Sequence, residues 1–82
     1  MMEIKFQPQG VCAKQIIIDV DNGIVNNVKF IGGCSGNTQG VAALAKGMKV
    51  TDIVERLQGI RCGSKPTSCP DQLAKALIKH AM

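Results

Sequence analysis

Four cysteines, Cys12, Cys34, Cys62 and Cys69, are the residues of this chain best suited to chemistry. Two of them lie in GIRCGSKPTSCPD, residues 59–71, where Gly63, Ser64, Pro66, Thr67 and Ser68 favour turns over a regular element. Cys34 and Cys69 each fall where a helix is expected to begin, so free backbone N–H groups and the positive end of the helix dipole favour a thiolate there. Cys12 lies in the loop before a hairpin, at the sheet end where Cys34 leaves it, so all four thiols can meet at one sheet edge. Gly33 and Gly36 beside Cys34, and Gly63 after Cys62, remove side-chain bulk where backbone would approach a bound group, and Arg61 and Lys65 can offset sulfur charge. Asp71 supports the same site from the start of the last helix. A sulfur-rich tetrad suits zinc or an iron–sulfur cluster, although the spacing is not the paired C-x-x-C of zinc ribbons. Two other readings stay open: Cys62 and Cys69 as a redox dithiol, or inert thiols in an interaction module that folds without metal.

Other chemistry is poorly supported. His80, the single histidine, stands eleven positions beyond Cys69, or about 16 Å along a helix at 1.5 Å per residue, and is read as a surface residue near a helix C-terminus. The run GGCSGNTQG follows a strand and opens a helix, as a phosphate cradle would, but lacks the lysine of a phosphate loop. Asp19, Asp21, Asp52, Glu55 and Asp71 form no paired-carboxylate pattern and read as turn, cap or surface acids. No catalytic triad can be assembled.

The elements that must position the thiols follow from periodicity. Residues 3–7 form a first strand, stopped at Pro8, which cannot donate to a ladder. Residues 14–20 and 24–31 form a hairpin about Asp21-Asn22-Gly23, with Ile24, Val28 and Phe30 on its apolar face and Val25, Asn27, Lys29 and Ile31 on the other. Val41, Ala42, Leu44 and Ala45 indicate a short helix ending at Gly47. Thr51 caps a second helix that turns Ile53, Val54 and Leu57 inward and ends at Gly59. The third helix starts around residues 69–71, with Pro70 in its first turn and Ser68 and Asp71 as a capping pair, and buries Leu73, Ala76, Leu77 and Ala81. Strands first and helices after give an α+β class: a three-stranded antiparallel sheet followed by three helices packed on one face.

At 82 residues the chain is read as one domain, residues 1–82, with a thin core of aliphatic residues, since Phe6 and Phe30 are its only aromatics. Such a core gains from a staple, which four cysteines could supply as a metal site or as disulfides. The start MMEIKFQPQG lacks a secretory pattern and no run approaches the roughly 18 apolar residues of a membrane span, so a cytoplasmic protein is expected, in which cysteines stay reduced. The formal charge of +4 comes from scattered lysines and arginines without aromatic interleaving, a solvated basic surface rather than a nucleic-acid interface.

Thr67-Ser68-Cys69-Pro70-Asp71, with residues 32–37 (GGCSGN) and the pattern Leu57-x-Gly59-Ile60-x-Cys62-Gly63, resembles the signature of TSCPD domains. That resemblance covers nearly the whole chain and implies a link to nucleotide reduction, because such domains also end adenosylcobalamin-dependent ribonucleotide reductases. The chain is far too short for a reductase barrel, so the implied role is that of an accessory module, with a ribonucleotide reductase as partner. A more distant likeness is to iron–sulfur scaffold proteins of the IscU and NifU type, whose order of cysteine, hairpin, Gly-Cys junction, helices and helix-opening cysteine is similar at Cys12, Cys34 and Cys69. It implies an IscU-like fold and an iron–sulfur assembly partner. Lys14 stands where those scaffolds carry an aspartate, and Cys62 is additional.

Overall fold

The computed structural model describes residues 2–11, 13–33 and 35–81. Three strands, β1 (Met2–Phe6), β2 (Ala13–Asp21) and β3 (Ile24–Gly32), precede three helices, α1 (Ser35–Ala45), α2 (Val50–Leu57) and α3 (Cys69–Ala81). The sheet is antiparallel with order β1-β2-β3. This is the α+β arrangement expected from the order of the patterns.

The hairpin closes as its turn residues dictate. Asn22 and Gly23 both take positive φ, 52° and 75°, the two-residue turn whose twist matches the flanking strands. One feature of β3 departs from strict alternation. Asp19 pairs with Asn27 but Val20 pairs with Val25, leaving Asn26 as an extra residue on β3. This bulge reverses which residues point inward. Val25, not Ile24, therefore joins Val28 and Phe30 on the core face, and Val25 is fully buried while Ile24 is only half-buried. Opposite them Ile16, Ile18 and Val20 of β2 and Ile4 of β1 complete the inner face.

The helices cover that face through Ala45 of α1, Val50, Ile53 and Val54 of α2, and Leu73, Ala76 and Leu77 of α3. Each fully buried large aliphatic side chain contributes about 1.5–3 kcal/mol. α1 begins at Ser35, at the strand-to-helix junction expected beside Cys34, and so extends six residues ahead of the apolar cluster that starts at Val41. The extension follows from a stripe at helical spacing, Thr38, Val41, Ala42 and Ala45, that faces the sheet and includes a buried threonine. Leu44 lies off this stripe and is 77% exposed.

α2 also starts earlier than the expected Thr51 cap. Lys49 is its N-cap, with no side-chain hydrogen bond, and Thr51 lies inside the helix. The entry is set by the hairpin instead: the Val50 N–H donates to the Gly23 carbonyl at 2.9 Å, the Val25 N–H to Met48 at 2.9 Å, and the Gly47 N–H to Val25 at 2.7 Å. A helix start held by tertiary backbone bonds needs no capping side chain. No helix among the described residues is long and apolar enough to cross a membrane.

Candidate functional site: a cavity beside the start of α3

The chain from α2 to α3 folds back on itself. Gly59 leaves α2 with φ 88° and Gly63 turns at φ 57°, both in the left-handed region that glycine adopts freely. The Ser68 hydroxyl donates to the Ile60 carbonyl at 2.7 Å, the Cys62 N–H to the Thr67 carbonyl at 3.1 Å, and the Lys65 N–H to the Cys62 carbonyl at 3.0 Å. Residues 60–68 thus form a closed loop lying against the first turn of α3. The Asp71 N–H donates back to the Ser68 hydroxyl at 3.1 Å, which is half of the expected capping pair.

The other half goes elsewhere. Asp71 is not a surface or capping acid but is 2% exposed. Its Oδ1 accepts the Gly59 N–H at 2.7 Å, and its Oδ2 accepts the Thr67 hydroxyl and lies 3.1 Å from Lys75 Nζ. Burial alone would push this carboxyl up. The hydrogen bonds from Thr67, Gly59 and Lys75, with the charge of Lys75, outweigh burial and hold it below the ordinary aspartate value. One buried carboxylate therefore ties both ends of the loop to α3.

Beside this network is a cavity of about 290 Å³. Val11, Val41, Ile60 and Pro70 supply apolar walls, Arg61 and Lys65 supply positive charge, and Cys62 and Cys69 supply thiols. Asn37, Thr38 and Ser68 complete the lining, and no carboxylate is found among the described lining residues. Cys62 is exposed, Cys69 half-buried, and both are free. The structure thus brings two of the four candidate thiols to one wall.

Cys12 and Cys34, two of the four thiols of the expected tetrad, lie outside the described residues. Among the described residues no group of three or more His, Cys, Asp or Glu is arranged to hold a metal ion. Val11, one position before Cys12, and Asn37, three positions after Cys34, both line the cavity. Ala13 pairs with Gly32, and a Cβ on Gly33 would stand 3.3 Å from the Ala13 backbone nitrogen. Gly33 therefore allows a close approach of β2 to the end of β3. At Gly36 and Gly63 a Cβ would meet nothing within 4 Å, so Gly63 answers to its positive φ rather than to crowding. His80 is exposed near the far end of α3, edge-on to Phe6 with ring centroids 6.2 Å apart. All ten lysines and arginines are exposed.

Sequence reasoning passed over Gln72 and Thr67 as side chains that shape the site. Gln72 is 4% exposed; its Nε2 donates to the Thr67 hydroxyl oxygen at 2.9 Å, and its Oε1 accepts the Gln9 N–H at 3.0 Å. The available signal was a glutamine four residues before Ala76, on the inward stripe of a helix, where a polar residue needs partners.

A family model of the TSCPD domain matches residues 2–81, and the chain belongs to that family. No curated protein and no solved structure matches it.

Proposed function

We propose that this TSCPD domain is a metal-binding accessory module, holding zinc or an iron–sulfur cluster on Cys12, Cys34, Cys62 and Cys69. The observation that carries the reading is a single cavity lined by the free thiols of Cys62 and Cys69 and by Val11 and Asn37, near neighbours in sequence of the other two cysteines. The donor chemistry fits: thiolates suit both metals, and a site of four thiolates on a divalent ion carries about −2, which Arg61 and Lys65 on the cavity wall would offset. Zinc there would add folding stability, and a cluster would supply an electron or be passed on. Residues 1–82 form one domain in this reading, working in the cytoplasm beside a ribonucleotide reductase or an iron–sulfur assembly protein.

Native, anaerobically purified protein is expected to contain zinc or iron near one site per chain by elemental analysis. A metal-free protein whose thermal midpoint is unmoved by chelator and by added metal would overturn the reading. The four single Cys→Ser variants refine it: Cys34→Ser and Cys69→Ser should lose the metal, whereas Cys62→Ser should keep a weakened three-thiolate site. Retention by Cys69→Ser with loss by Cys62→Ser would make the loop thiol the anchor.

A second reading rests on Cys62 and Cys69 facing one cavity as free thiols: they cycle as a redox dithiol. A thiol titre that falls by two on mild oxidation and returns with reductant, in protein without metal, would favour it.

A further inference from the structure

We infer that Gln72 is a positioning residue of the thiol cavity, coupling the 59–68 loop to the 7–11 loop through a one-way chain of hydrogen bonds. The direction of that chain is determined at both ends. The Gln9 main-chain N–H can only donate, so the Gln72 carbonyl oxygen must face it, at 3.0 Å. That leaves the amide Nε2 to donate to the Thr67 oxygen at 2.9 Å. Thr67 is then free to donate its own proton to Asp71, whose ionised carboxylate only accepts. Each group has one role it can fill, and all three side chains are nearly inaccessible to water, with 6%, 2% and 4% exposure for Thr67, Asp71 and Gln72.

The two loops so joined both reach the cavity. Thr67 holds the Cys62 N–H through its carbonyl, and Val11 lies two residues beyond Gln9. Gly10 packs beside them, where a Cβ would stand 3.3 Å from the Thr67 methyl. Burying a glutamine on the inward stripe of α3, among Leu73, Ala76 and Leu77, has no benefit to the apolar core. Its benefit is that the two loops cannot move independently. Groups that orient a metal's ligands from outside the first coordination layer commonly set affinity by about 10- to 100-fold. The affinity part of this inference rests on the metal reading above; the coupling part does not.

The test uses the whole chain without metal. Amide hydrogen exchange is compared at Cys62 and across the central strand around Ile18 in wild type, Gln72→Met, Thr67→Val and the double variant. Both single changes are expected to speed exchange at Cys62 by about tenfold more than at Ile18, since local opening of the loop needs less than global unfolding. Their effects at Cys62 should be strongly non-additive, because either change cuts the same chain. Equal acceleration at Cys62 and Ile18, no change at Cys62, or additive effects would each overturn the inference. Zinc alone is then titrated into each protein, with binding to Gln72→Met expected to be about 10- to 100-fold weaker than to wild type. Equal affinities would overturn the positioning role. If wild type binds no zinc and no iron, the metal reading fails and the exchange comparison alone decides the coupling.

Discussion

Helices α1 and α3 both lend residues to the cavity wall, yet they are held in opposite ways. In α3, Leu73, Ala74, Ala76 and Leu77 are fully buried, and the first turn adds Asp71 and Gln72 as buried polar residues with identified partners. Among the described side chains of α1 only Thr38 and Ala45 are buried, Gly36, Asn37, Gln39 and Gly40 are exposed, and Leu44 projects into solvent. The cysteines preceding or opening these helices look alike in sequence, each beside turn residues and each at a helix start. The difference teaches that two helices whose starts look alike in sequence can be packed to very different extents.

The comparison breaks or holds most visibly in the core. Leu77→Ala in α3 should cost about 2–5 kcal/mol in urea denaturation, because the side chain is fully buried and leaves a cavity. A loss below about 1 kcal/mol would mean that α3 is no better anchored than α1.

Next in size is Asp71→Asn, which retains shape but removes an acceptor from the Gly59 N–H or the Thr67 hydroxyl. It should cost about 1–3 kcal/mol at neutral pH. Its pH dependence has a definite sign. Burial opposes ionisation of Asp71, but its hydrogen bonds and Lys75 prevail, so the folded carboxyl titrates below its unfolded value of about 3.9. The stabilisation is therefore fully present above that unfolded value and is lost as pH falls through the lower folded one. The gap between wild type and variant should narrow on acidification over that window, and a gap that widens would refute the assignment.

Gly40→Ala sharpens the contrast from the other side. Gly40 is an exposed helical residue of α1 with open space where a Cβ would stand, so alanine should stabilise the protein by about 0.5–1 kcal/mol. Destabilisation would show that α1 answers to a constraint its exposed surface does not display. The smallest effect belongs to Leu44→Ala, expected to shift stability by no more than about 0.5 kcal/mol, since the side chain is 77% exposed.

What could be read without coordinates was what is decided locally. Asp21-Asn22-Gly23 between β-branched runs specifies a hairpin because few residues tolerate consecutive positive φ, and Ser68 before Cys69-Pro70 specifies a helix start because serine satisfies an N–H that proline's neighbours leave open. The four cysteines and the TSCPD signature were equally legible, since a motif is a property of sequence alone.

Tertiary structure decided the rest, through strand pairing and through partners distant along the chain. The bulge at Asn26 exchanged Ile24 for Val25 in the core because strand register, not alternation, determines which face is buried. The backbone bonds from Gly23 and Val25 set the approach to α2, where Thr51 had appeared to be the cap. Asp71 left the role of surface acid because Gly59, twelve residues earlier, and Thr67 offered it donors inside the protein, and Gln72 acquired its role from Gln9, 63 residues away. Polar side chains go where their hydrogen bonds can be satisfied, and with partners so far apart in sequence only the folded chain brings them together.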